Sequence, residues 1–265
     1  MVIDIQKIYQ VDAFTDKVFG GNPAAVCPLA SWLDDSVLQN IAMENNLAET
    51  AFYVEKDGRY EIRWFTPILE VDLCGHATLA SAYVLFFIAG VRGNVVNFHS
   101  PRSGELTVTR NEEILTLNFP SDIFNEVPLT EELTSCFSLK PKQAFKGKTD
   151  YMLVYDSEDE ISKLVAAFDA IVKVDCRGII VTAPGKEVDF VSRFFAPQSG
   201  VNEDPVTGSA HTTLTPYWSE RLSKKTMSAI QLSQRKGILQ CTYLNERVEI
   251  SGKGKLYLTG EIWLR

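Results

Sequence analysis

"RWFTPILEVDLCGHATLA", residues 63–80, decides how the rest of the chain is read. It aligns without a gap to "RFFAPQSGVNEDPVTGSA", residues 193–210, at an offset of 130 (193 less 63). Arg63/Arg193, Phe65/Phe195, Pro67/Pro197, Val71/Val201 and Ala80/Ala210 are identical, five of 18 positions. Average residue usage would give about one such match. The offset is near half of the 265 residues, far beyond solenoid periods, so the pattern points to a duplicated domain.

The surrounding elements repeat in the same order: strand, helix, two strands, helix, several strands. In the first half, "DIQKIYQVDAF" reads as a strand, the turn "GGNP" (20–23) closes it, and "AAVCPL" continues. Residues 31–46 form an amphipathic helix capped by Ser31, with Asp34 in its first turn and Leu33, Val37, Leu38 and Ile41 on one face. "AETAFYVE" and "RYEIRWF" are strands, "CGHATLASAYVLFF" a helix, and three β-rich runs follow. The second half places a strand at 151–155, an amphipathic helix at 157–171, strands at "GIIVTAPG" and "DFVSRFF", and a helix at 204–218. The halves are set at 1–120 and 121–265, with the boundary between Pro120 and Lys142; the C-terminal strand, 255–265, is a candidate to return to the first half.

Bulk properties exclude several classes. A net charge of −8 and a sequence pI near 5.0 would repel a phosphate backbone, so no nucleic-acid partner is expected. "MVIDIQKIYQ" lacks an export signal, and the most apolar window, 83–91, is too short to span a bilayer. Five dispersed cysteines (27, 74, 136, 176, 241) without a CxxC pair fit a reduced chain, and the expected location is the cytoplasm.

The alignment sets Cys74 on Asp204 and Gly75 on Pro205, each expected at a helix start. Asp followed by Pro is a helix-start signature, so a plain N-cap accounts for Asp204, and a small buried residue for Cys74. The functional alternative is that two helix N-termini hold a substrate carboxylate, with Gly75, Gly208 and Ser209 letting it approach the backbone. A Cys74–His76 nucleophilic pair is disfavoured, because residues two apart on a helix do not face each other. His76, His99 and His211 show no metal-ligand spacing, so no metal is expected. "SGKGK" (251–255) reads as a turn.

Four stretches, "VDAFTDKVFGGNPAAV", "NLAETAF", "RWFTP…LCGHATLASA" and "FFAP…VNEDPVTGSAH", together resemble the PhzF family of phenazine-biosynthesis-like isomerases nearly end to end. The resemblance implies an α+β fold shared with diaminopimelate epimerase: two similar duplicated domains, each a mostly antiparallel barrel-like sheet around a central helix, with the active site between them. In the epimerases both helix starts carry a cysteine; here Asp204 stands at the second, so a two-thiol racemase is broken. What the family implies instead is a cofactor-free proton shift between carbons of a small carboxylic acid. Glu49, His76 and Asp204 fall on its catalytic positions, and Gly75 and Ser209 on its binding positions. A homodimer is also implied. A carboxylate that takes a proton from carbon works best partly buried, and Ala51, Phe52 and Val54 beside Glu49 fit that. Asn22 reads as a turn residue that could reach the site, His211 as a packing histidine, and Cys74 as a weak donor lining the pocket. Two other functions remain open: an amino-acid racemase or epimerase using Cys74, and a non-catalytic protein that binds a small ligand.

Overall fold

The computed structural model describes residues 5–264; Asp4 and Arg265, at the outer ends of the expected first and last strands, lie outside them. The chain divides into two compact units, one running to Asn118 and resuming at Ser251, the other Phe119–Ile250.

The first unit begins with β1 (Ile5–Ala13), β2 (Asn22–Leu29), α1 (Asp35–Asn45), β3 (Glu49–Lys56), β4 (Arg59–Phe65) and the short β5 (Glu70–Val71). Then come α2 (Gly75–Tyr83), which runs on into a π-helical turn, and β6 (Val95–Ser100), β7 (Gly104–Asn111) and β8 (Ile114–Pro120). The second unit holds β9 (Asn125–Val127), α3 (Glu131–Thr134), β10 (Gln143–Lys146), β11 (Asp150–Val154), α4 (Glu158–Lys163), α5 (Phe168–Ile171) and β12 (Gly178–Pro184). It continues with β13 (Phe190–Ala196), β14 (Val201–Asp204), α6 (His211–Leu222), β15 (Thr226–Gln231), β16 (Gly237–Tyr243) and β17 (Arg247–Gly252). A last strand, β18 (Gly254–Trp263), pairs antiparallel with β1. No helix among the described residues is long and apolar enough to cross a membrane.

The two units share one wiring. β2 pairs parallel with β3 across a helical crossover, as β11 does with β12. β3–β4 and β12–β13 are antiparallel, and each second strand also takes a short antiparallel partner, β5 or β14. After the next helix, β6 adds parallel to β4 and β15 parallel to β13. Register makes the equivalence residue by residue. Phe65 faces Thr50, and Phe195 faces Ile179, so Glu49 in the first unit corresponds to Gly178 in the second.

The shared arginine has a structural task. The Arg63 guanidinium donates to both carboxylate oxygens of Glu70 at 2.7 and 2.9 Å and lies 5.1 Å from the Phe65 ring centre. Arg193 does the same with Glu203 at 2.7 and 2.9 Å, 4.9 Å from the Phe195 ring. Bidentate pairing over an aromatic face suits guanidinium and not ammonium, so these pairs pin β5 and β14 to their neighbours in both units.

The central helices are buried nearly all round. Eight of nine residues are buried in α2 and eight of twelve in α6. Six of the nine α2 residues are Gly, Ala, Ser or Thr, which let strands close on it from several sides, and the small hydroxyls bond back along the helix: Thr78 donates to the Cys74 carbonyl at 2.6 Å, and Ser81 to that of Ala77 at 2.8 Å. α1 instead covers one sheet face, with Leu38, Ile41 and Ala42 packed on Phe52, Val54 and Phe65.

Three helix boundaries differ from the sequence reading. Asp34, not Ser31, is the N-cap of α1; Trp32 donates its indole N–H to Glu61 at 2.8 Å and holds the preceding segment off the helix. The helix expected over 157–171 is two short ones. Between them Val165 exchanges bonds with Ser138, Ala167 donates to the Cys136 carbonyl, and Arg193 takes the carbonyls of Ile161 and Leu164, so the backbone has partners outside a helix. The helix expected from residue 204 starts at His211, because Asp204 still belongs to β14 and residues 205–210 form a bend and a turn with their own side-chain partners.

Candidate active site

Four side chains meet in the first unit. Asn22 opens β2 after a turn that only glycine permits: Gly21 has φ +58°, and a Cβ there would sit 2.0 Å from the Ala13 carbonyl oxygen. Asp12, buried on β1, accepts the Phe19 N–H at 2.8 Å and ties down the loop before that turn. Glu49 opens β3, in parallel register with Ala24, just beyond the left-handed Asn46 that ends α1. Cys74 is the N-cap of α2, and His76 lies in its first turn.

His76 Nε2 is 3.2 Å from Glu49 Oε2, and its Nδ1 is 3.2 Å from Asn22 Nδ2. Asn22 is fully buried and His76 4% exposed, whereas the Glu49 side chain keeps 18% exposure. Burial pushes the His76 pKa down to about 3, so the ring is neutral at pH 7 and carries one N–H. An amide NH₂ can only donate, which makes Nδ1 the acceptor and places the N–H on Nε2, the nitrogen that lies 3.2 Å from Glu49 Oε2. Asn22 thereby selects the tautomer; its role goes beyond the turn that its place before Pro23 explains.

Cys74 Sγ is 3.5 Å from His76 Nδ1, so the expectation that these two side chains do not face each other fails. The i, i+2 rule holds inside a helix. Cys74 stands outside it with extended backbone (φ −138°, ψ 107°), which swings the thiol back over the first turn. Spacing along the sequence also missed a possible donor set: ligand atoms of Glu49, Cys74 and His76 lie within 4.8 Å of one another and could hold a metal ion.

The second unit gathers the remaining expected residues. Asp204 ends β14 and is not a helix N-cap; its Oδ2 accepts from the Thr207 hydroxyl at 2.5 Å. Fully buried Gln231 fixes this turn, donating to the Asp204 carbonyl at 2.7 Å and accepting from Thr207 N–H at 2.8 Å. The Ser233 hydroxyl donates to the Pro205 carbonyl at 2.7 Å. Gly208 is buried in the turn that leads into α6, and its carbonyl receives the His211 N–H at 3.0 Å. Ser209 Oγ accepts from Arg177 Nη1 at 2.9 Å. His211 packs near Phe190, donates Nδ1–H to the Thr207 carbonyl at 2.9 Å, and is pushed down to about 4 by burial, as a packing histidine should be. Arg177 and its partner Asp150 were not singled out from sequence, since neither falls in a recognisable motif; the strand register beside Gly178 is what reveals them.

Comparison with known proteins follows this geometry. The PhzC-PhzF family model, described as phenazine biosynthesis-like protein, matches residues 11–260. A Pseudomonas aeruginosa protein named as an uncharacterized isomerase is 51% identical over 257 residues, covering 97% of this chain and 98% of its own. An Enterococcus faecalis structure described as a phenazine biosynthesis protein of the PhzF family superposes with a TM-score of 0.96 at 46% identity, covering 98% of this chain and all of its own. A hydroxyproline epimerase from Agrobacterium vitis, at 8% identity and a TM-score of 0.64 over 98% of this chain and 93% of its own, shares the fold alone.

Proposed function

Because this chain belongs to the PhzC-PhzF, phenazine biosynthesis-like family, we propose that it is a cofactor-independent isomerase that moves a proton between carbons of a small carboxylic acid, with Glu49 as the general acid–base. The observation that carries the reading is the neutral His76, whose one N–H Asn22 places on the nitrogen 3.2 Å from Glu49 Oε2. A carboxylate that abstracts a carbon-bound proton must be held still and kept partly dry, and a neutral imidazole donor does both without quenching it by a full opposite charge. Glu49 takes the proton from one carbon and returns it to another, while the electron pair delocalises towards the substrate's carboxyl group. His76 steadies Glu49 through both transfers. Asp204 is assigned with His76 to relaying the proton, and Gly75, Gly208 and Ser209 to binding and orienting the substrate.

One contact favours a second reading. The Cys74 thiol reaches His76 Nδ1 at 3.5 Å, the arrangement a thiol base would need. Asp204 weighs against it, because it stands where a paired thiol would be. Proton NMR in D₂O with a panel of small carboxylic acids tests the function: the isomerase reading predicts deuterium incorporation or a shifted double bond. Binding of panel acids without any exchange would favour a non-catalytic role.

A further inference from the structure

The second unit carries an arginine next to the place where the first carries its base. Gly178 occupies the register position of Glu49, and Arg177 immediately precedes it. A Cβ on Gly178 would meet Phe194 Cζ at 2.4 Å; its absence seats the ring on which the Arg177 guanidinium lies, 5.3 Å from the centroid. Asp150, 4% exposed, holds the guanidinium from the side, accepting from Nε at 2.9 Å and from Nη2. Nη1 donates to Ser209.

These bonds leave a surplus of donors. Guanidinium has five N–H groups, and the bonds from Nε, Nη1 and Nη2 use one each, so two have no protein partner among the described residues. Ser209 Oγ already accepts from Arg177, which leaves its hydroxyl hydrogen to donate elsewhere. The arginine side chain is 38% exposed, so a ligand can reach it. The nearby acidic groups are committed to protein donors. Asp150 is bound by Arg177 itself, Asp204 accepts from Thr207, and Asp122 accepts from Thr213, Ile123 and Lys148. The two spare N–H groups and the Ser209 hydroxyl, on a guanidinium whose charge is shared with Asp150, offer donors to the two oxygens of a carboxylate, for which planar bidentate recognition is the strong mode.

We propose that Arg177, held by Asp150 and acting with the Ser209 hydroxyl, is the carboxylate-recognising residue of this protein and sets its preference for acids over neutral analogues. The inference rests on the proposed function only for identifying the anion as substrate; binding itself requires no turnover.

The test measures calorimetric affinities for benzoate, cyclohexanecarboxylate and acetate, each against its primary amide, in wild type, Glu49→Gln, Ser209→Ala and the double variant Arg177→Gln/Asp150→Asn. The double variant replaces the ion pair with a neutral one, so no buried Asp150 charge is left uncompensated. Wild type and Glu49→Gln should prefer at least one acid over its amide by roughly tenfold or more. The double variant should lose that preference while binding the amide unchanged, and Ser209→Ala should lose part of it. No acid preference in wild type, or a preference undiminished in either site variant, overturns the proposal. Should the double variant not fold, Ser209→Ala alone decides. Acid binding through Arg177 without proton exchange would defeat the isomerase reading and leave this one standing.

Discussion

Replacing Asn22 with Asp probes the arrangement around His76 more sharply than removing either catalytic candidate. In the native protein Asn22 Nδ2 donates to His76 Nδ1 at 3.2 Å, and the ring's other nitrogen faces Glu49 at 3.2 Å. An aspartate has no N–H to give, so it draws a proton onto Nδ1. A ring that stays neutral then presents a lone pair, not a donor, to Glu49. A hydrogen bond to a charged acceptor contributes about 1.5–3 kcal/mol, and about 1.4 kcal/mol is tenfold in rate. Proton exchange should therefore fall by roughly ten- to hundredfold if Glu49 depends on that bond. A ring that protonates instead becomes an imidazolium between two carboxylates, and a new titration appears in the pH–rate profile. Both branches protonate Nδ1. The assay is ¹⁵N NMR of the histidine side chains beside the exchange rate in D₂O. An acceptor-type Nδ1 signal for His76 that survives in Asn22→Asp would refute the tautomer assignment, and an unchanged exchange rate would refute its importance.

Stability should fall with acid through two histidines. Both His76 and His211 have folded pKa values depressed by burial, to about 3 and about 4. The unfolded chain binds more protons than the folded one between those values and the ordinary 6.5, so the contribution is complete above pH 6.5 and lost on descending through the window. Near pH 5 each should contribute a slope of about 1.4 kcal/mol per pH unit; urea melts at several pH values should show His211→Gln removing about half of the histidine part, and an unchanged slope would contradict the assignment. The arginine pairs give a comparison within one molecule. Arg63→Ala should destabilise by about 2 kcal/mol, a buried-pair loss discounted for partial exposure. Arg193→Ala should cost more, since it also strips the α4 carbonyls of a donor; equal urea midpoint shifts would argue against that second role.

Much of the duplicated fold was legible because its markers are local. Arg63 and Arg193 stand in the same register relative to the same turn, and alternating apolar residues marked most long strands. The break between α4 and α5 was invisible, because apolar periodicity runs through 157–171 while the interruption comes from Ser138, Cys136 and Arg193, distant in sequence. The late start of α6 has the same origin: Asp204–Pro205 carries a helix-start signature, yet Gln231 supplies partners that keep the turn open. Glu49, Cys74 and His76, singled out through motifs, lie close together in the first unit. The contact between Cys74 and His76 was misjudged, because a helix rule was applied to a residue just outside the helix. Arg177 was missed because its meaning depends on pairing with Asp150 and on the Gly178 register, neither of which spacing reveals.

The claim that Glu49 moves the proton is tested most directly by comparing Glu49→Gln with Cys74→Ser in one assay, solvent deuterium incorporation into an acid that the wild-type protein exchanges. Both substitutions keep the size and shape of the side chain close to native. The account predicts that exchange falls by roughly a thousandfold or more in Glu49→Gln, about 4 kcal/mol of lost transition-state stabilisation, and by far less in Cys74→Ser. Full exchange in Glu49→Gln, with the loss appearing in Cys74→Ser, would contradict it and make the thiol the base.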